Sequence, residues 1–175
     1  MSAESAGALE GMASLPASRL AGLYEAHVGR AIALATLLTG DRAIAEDIAH
    51  DAFLRVAGRF RDLRDPGAFG PYLRTTVVNM CRARVRRLER ERVLLRSQTR
   101  PDAIEPDTRA EDRDEVWSFI VALPYRQRAA LVLRYWEDLS EEEIGQALRC
   151  SPRAVNALLS RARAALRDGI GRSEE

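Results

Sequence analysis

The chain predicts an all-α fold: two small helical domains joined by a flexible linker. Apolar residues recur at spacings of three and four, the period of a half-buried helix, and nowhere in the strict alternation of a strand. Near the middle, serine, threonine, proline and acidic residues take over, and nothing there is apolar enough to nucleate a core. A length of 175 residues suits one medium domain or two small ones, and the central break favours two. The expected division is a disordered tail over residues 1–16, a first domain over 17–96, the linker over 97–113, a second domain over 114–170 and a C-terminal tail over 171–175.

The first helix is expected from residue 18 to about 38. Leu20, Leu23, Tyr24, Val28, Ile32, Leu34, Ala35 and Leu38 form its apolar set, and Gly40 stops it. Asp41 can cap the second helix, which runs to about residue 60 with Ala45, Ile48, Ala49, Ala52, Phe53 and Val56 inward. Glu46, Asp47, His50, Asp51 and Arg55 are left facing outward. Asp65, Pro66 and Gly67 make a turn signal. A third helix opens with Phe69, Tyr72, Leu73, Val77 and Met80 and continues into an arginine-rich stretch ending near Arg96.

In the second domain, Val116, Trp117, Ile120 and Val121 mark one helical face, Leu123-Pro124 breaks it, and Leu131, Val132, Leu133, Tyr135 and Trp136 resume. Residues 140–167 then read as two short helices around a tight turn, the layout of a DNA-reading helix-turn-helix. Ser140 and Glu143 form a capping box, which starts the first of these helices at Glu141, with Ile144 and Leu148 inward and Gly145 keeping the crossing close. Ser151 followed by Pro152 is an N-cap and a proline at the first helical position, which starts the second. Val155, Leu159, Ala162 and Leu166 form its apolar stripe. Arg153, Asn156, Ser160, Arg161, Arg163 and Arg167 lie mainly off that stripe, where they can meet phosphates or base edges.

All 27 basic residues are arginine. That bias suits bidentate contacts with phosphate and guanine, and a genome rich in G and C produces it equally well. The formal charge of +1 hides a segregation. Residues 82–100 carry eight arginines against two glutamates, residues 101–115 carry seven acids against two arginines, and residues 149–172 carry six arginines against one aspartate. Two basic blocks separated by an acidic one point to two nucleic-acid contacts on separate modules. Cys81 and Cys150 are far apart and lack metal-site spacing, so neither a disulfide framework nor a zinc site is expected. With His27 and His50 as the only histidines, no phosphate loop and no nucleophile elbow, no catalytic residue, metal or cofactor is expected. The N-terminus lacks a signal-peptide pattern and no apolar run reaches membrane length, so a cytoplasmic protein is expected, with no membrane insertion.

Three segments in order, LYEAHVGRAIALATLLTGDRAIAEDIAHDAFLRV, DPGAFGPYLRTTVVNMCRARVRR and LPYRQRAALVLRYWEDLSEEEIGQAL with the hairpin after it, carry a family likeness. Over roughly residues 20–167 the chain resembles the extracytoplasmic-function (ECF) class of bacterial RNA polymerase sigma factors, group IV of the sigma-70 family. The resemblance implies a region 2 helical bundle that binds the clamp helices of core RNA polymerase and opens the downstream promoter element. It implies a region 4 helix-turn-helix that binds the polymerase flap and reads the upstream element of promoter DNA as duplex. An anti-sigma factor is the expected regulatory partner.

By the same likeness, Glu46, Asp47, His50 and Asp51 would meet the clamp helices. Asn79 would hold a base flipped from the melted strand, while Arg82, Arg84, Arg86 and Arg87 follow the backbone. Phe69 and Tyr72 offer stacking faces, although aromatics three apart on a helix are more often buried. Arg149, Ser151, Arg153, Asn156, Ser160, Arg161 and Arg163 would serve the upstream element.

The chain departs from the family pattern where glycine usually forms the turn. Arg149 stands there, and must take a left-handed conformation at about 1 kcal/mol or alter the turn. Ala154, Val155, Asn156, Ala157 and Leu158 occupy positions that commonly hold threonine, valine, lysine, serine and arginine, and Ala83 replaces a common aspartate. Two alternatives fit the residues: an autonomous helix-turn-helix regulator, and a sigma mimic that titrates an anti-sigma factor.

Overall fold

The computed structural model describes residues 17–59, 66–98 and 115–173, all helical apart from the short connections between helices. The expected N-terminal tail and nearly all of the expected linker lie outside the described residues. The described part divides into two units, the cut falling after Cys81 inside a long helix.

The first unit is built on α1 (Ala17–Thr39) and α2 (Arg42–Arg59). Gly40 ends α1 with φ of 78°, a left-handed conformation that glycine adopts without strain, and its N–H donates to the carbonyl of Thr36 at 2.8 Å. Asp41 caps α2, its Oδ1 accepting the N–H of Ile44 at 3.0 Å. This two-residue connection folds α2 back along α1. Ala45, Ala49 and Ala52, all fully buried, give α2 a face of small residues that lets the helices approach closely. Leu34, Ala35, Leu38, Phe53 and Val56 fill the rest of that core. Of the turn signal, Asp65 lies outside the described residues, and Pro66 and Gly67 open a single 3-10 turn, Pro66–Ala68, leading directly into α3 (Phe69–Gln98). Phe69, Leu73, Val77, Val78 and Cys81 are buried, and beyond Cys81 no residue of α3 with a described side chain is buried.

The second unit contains α4 (Glu115–Ala122), α5 (Tyr125–Tyr135), α6 (Glu141–Leu148) and α7 (Pro152–Ser173). Packing centres on α7, which touches each of the other three. Proline at 124, which has no N–H to continue a ladder, separates α4 from α5. Ala129, Ala130, Leu133, Ile144, Val155 and Ala162 form the fully buried centre. The capping box at Ser140 forms as expected: its Oγ accepts the N–H of Glu143 at 3.2 Å, and its own N–H donates to the Glu143 carboxylate at 2.8 Å. α7 starts at Pro152 behind Ser151, whose Oγ accepts the N–H of Ala154 at 3.2 Å.

Candidate nucleic-acid interface

Both functional surfaces expected in residues 17–96 start from helix period. On α2, Glu46 and His50 lie one turn apart, as do Asp47 and Asp51, so the four form two adjacent rows opposite the alanine face; all are exposed. Three carboxylates crowd on one side. Arg42, which sequence reading passed over, donates from Nε to Oε1 of Glu46 at 2.9 Å, in a pair whose side chains are 79% and 51% exposed. Such a pair is worth about 0.5 kcal/mol or less and yields readily to a stronger basic partner. Tyr24, on α1, places its hydroxyl 3.2 Å from Nδ1 of His50 and its ring edge-on at 5.4 Å. This fixes the imidazole within the acidic face.

The ring of Tyr24 is the second member of a continuous series. It packs edge-on against Phe53 at 5.1 Å, Phe53 meets Phe69 at 5.6 Å, and Phe69 lies 5.2 Å from His27. Phe69 is 0% exposed, the largest fully buried side chain described. It cannot stack on a base, and its expected place among the nucleic-acid contacts is corrected: the first residue of α3 is turned into the α1–α2 core. Tyr72, three residues on, is 38% exposed and its hydroxyl accepts from Arg59 at 3.2 Å.

Along α3, Tyr72, Asn79, Arg82, Arg86 and Arg90 recur at spacings of seven, three, four and four residues, so they share one face. Arg87 borders that face. Arg84 stands about 140° round from Asn79 and continues the line of Leu73 and Val77, so it belongs to another side of the helix. Arg87 is engaged: its Nε donates to Oε1 of Glu91 at 2.8 Å. That hydrogen bond, opposed by slight desolvation and helped by the charges of Arg87, Arg84 and Arg90, holds the Glu91 carboxyl below its ordinary value. Glu91 therefore remains ionised well below neutral pH and competes with a phosphate for Arg87.

In the helix-turn-helix, Arg149 takes the left-handed conformation, with φ 53° and ψ 57°, and forms the C-cap of α6. Its side chain is exposed beside the start of α7. Arg153, Asn156, Ser160, Arg163 and Arg167 follow at spacings of three, four, three and four, making a single exposed row that flanks buried Val155, Leu159 and Ala162. Arg161 lies about 100° off Ser160 and outside that row. Nε of Arg163 donates to the carbonyl of Leu159 at 3.2 Å. Asn156 Nδ2 donates to Oε1 of Glu141 at 3.2 Å, a link between the two helices across fifteen residues of sequence. Leu158 is half-buried, so it belongs to the edge of the core rather than the exposed row.

Among the described residues, no group of three or more histidine, cysteine, aspartate or glutamate side chains could hold a metal ion, and no helix is long and apolar enough to cross a membrane.

Residues 23–91 match the family described as Sigma-70 region 2, and residues 113–166 match Sigma-70, region 4. An RNA polymerase sigma-E factor of Streptomyces avermitilis is 33% identical over 137 residues, a match covering 76% of this chain and 74% of that protein. The ECF RNA polymerase sigma factor SigE of Mycolicibacterium smegmatis is 32% identical over 159 residues, covering 86% of this chain and 61% of that protein. The chain spans 37% of the length of RfaY of Xanthomonas campestris, described as a probable RNA polymerase sigma factor, to which it is 33% identical over 147 residues, 79% of this chain. Among solved structures, the sigma factor RpoE of Bartonella quintana, in complex with the anti-sigma factor NepR, shares the fold at a TM-score of 0.66 and 22% identity, over 86% of this chain and 95% of that one.

Proposed function

From the premise that the chain belongs to the sigma-70 family of RNA polymerase sigma factors, in its ECF class, we propose that it directs core polymerase to promoters by docking through α2, capturing melted DNA on α3 and reading duplex through α7. The observation that carries this reading is the arrangement of three polar rows on a family-matched chain: exposed and acidic on α2, half-buried Asn79 and Arg82 continuing into exposed arginines on α3, and exposed arginine with asparagine and serine on α7. Each suits a different partner chemistry. Crowded carboxylates are relieved by a basic helix pair on the polymerase clamp. Asn79 offers an amide donor and acceptor to an unpaired base, while Arg82 and Arg86 on the same face neutralise the strand beside it. Exposed Arg153, in the first turn of α7, receives a phosphate and seats the helix in the major groove.

No ATP enters this scheme. Holding a flipped base offsets its unstacking, which costs a few kcal/mol. Residues 17–96 and 114–170 are assigned the two roles, with residues 97–113 joining them, and an anti-sigma factor is the regulator that fits a chain of this class working beside cytoplasmic polymerase. The deciding experiment is in vitro transcription on genomic fragments with core polymerase. Promoter-specific transcripts only when the chain is added are the expected result. Tight duplex binding without any effect on core polymerase would identify an autonomous regulator, and binding to an anti-sigma factor alone would identify a titrating mimic.

A further inference from the structure

We propose that Glu141 sets the amide of Asn156 to read adenine, which makes Glu141 a specificity-determining residue that touches no base itself. The proposal rests on the duplex-reading role given to α7 above. An asparagine amide has an accepting oxygen and a donating nitrogen of nearly equal shape, and a free side chain on a helix surface presents either order to a base. A carboxylate only accepts. With Oε1 of Glu141 3.2 Å from Nδ2 of Asn156, the nitrogen has to face Glu141, and the flipped amide would set two oxygens against each other. In this reading Glu141 takes the N–H trans to Oδ1, and the N–H cis to Oδ1 shares an edge with that oxygen and faces the base.

That edge carries one donor and one acceptor side by side. Adenine offers the complementary pair in the major groove, the N7 acceptor and the N6 amino donor, whereas guanine offers two acceptors, N7 and O6. Asn156 stands in the second turn of α7, between Arg153 and Ser160 on the exposed row, so neighbours that hold phosphates keep it in register. Glu141 works against affinity, because its negative charge lies beside the helix that approaches a polyanion. Its removal therefore raises affinity and loosens reading at once, two effects that a merely structural residue does not produce together.

The test uses the full chain assembled with core polymerase and a pool of duplexes randomised over one helical turn of the upstream element. The wild-type complex should select one fixed adenine, preferred over other bases by about tenfold or more. Asn156→Ala and 7-deaza-adenine at that position should each abolish the preference. Glu141→Ala should reduce it severalfold while binding tightens, and adding Glu141→Ala to Asn156→Ala should change the preference no further. A Glu141→Ala variant with the full adenine preference would overturn the proposal and leave the duplex-reading role standing. Failure of the wild-type complex to select any sequence in the upstream turn would overturn that role and the proposal with it.

Discussion

A Cβ on Gly145 would stand 2.6 Å from the carbonyl oxygen of Cys150, and the N–H of Cys150 donates to the carbonyl of Gly145 at 2.9 Å. The turn of the helix-turn-helix is folded directly onto the backbone of α6 at this point. The obstructing atom is main chain, in a residue whose N–H is tied to Gly145, so it cannot swing aside as a flexible side chain would. Gly145→Ala is therefore expected to destabilise the second unit by about 1–3 kcal/mol. Thermal melting followed by circular dichroism checks this, and an unchanged transition would mean that the turn shifts freely.

Arg149 carries the opposite expectation. Its left-handed backbone, φ 53°, is unfavourable for an arginine and natural for glycine. Arg149→Gly should raise stability by up to about 1 kcal/mol. The same change removes an exposed cation beside the start of α7, so the salt dependence of duplex binding should become shallower by about one unit of slope. A variant that gains stability and keeps the full slope would show that Arg149 meets no phosphate.

Glu46→Arg combined with Asp47→Arg should abolish binding to core polymerase while the helical signal and melting temperature stay within experimental error. Both side chains are exposed, and the Arg42 pair they would lose contributes little. Reversed charge facing basic helices converts attraction into repulsion. Undiminished affinity in a titration with core would remove α2 from the interface.

Asn79→Ala should impair promoter opening far more than closed-complex formation, because its amide acts on a base only once that base has left the stack. Permanganate reactivity on duplex and on pre-melted promoters separates the steps. Equal defects on both templates, together with weak closed complexes, would assign Asn79 to duplex contact or to folding.

Helix boundaries were legible from caps: Gly40, Asp41, Ser140 with Glu143, and Ser151 with Pro152 locate helix ends to within one or two residues. At Arg149 the sequence left two outcomes, a left-handed residue or an altered turn, and the backbone takes the first, with φ 53°. What sequence did not disclose was pairing between helices. Tyr24 and His50 are 26 residues apart, and Asn156 and Glu141 are 15 apart, so no local period connects them. Phe69 and Tyr72 could not be separated by type, since two aromatics three apart on one helix are alike in sequence. The core made by α1 and α2 decides that the first is inside and the second half outside.

The unbroken row of rings from His50 through Tyr24, Phe53 and Phe69 to His27 has a genetic consequence. Phe53 is buried, yet it underlies both the α2 face and the start of α3. Selections for loss of promoter use will return conditional alleles at Phe53, defective in docking and in opening together. Their suppressors will map to α1, where Tyr24 and His27 can repack, and not to the genes of the partners.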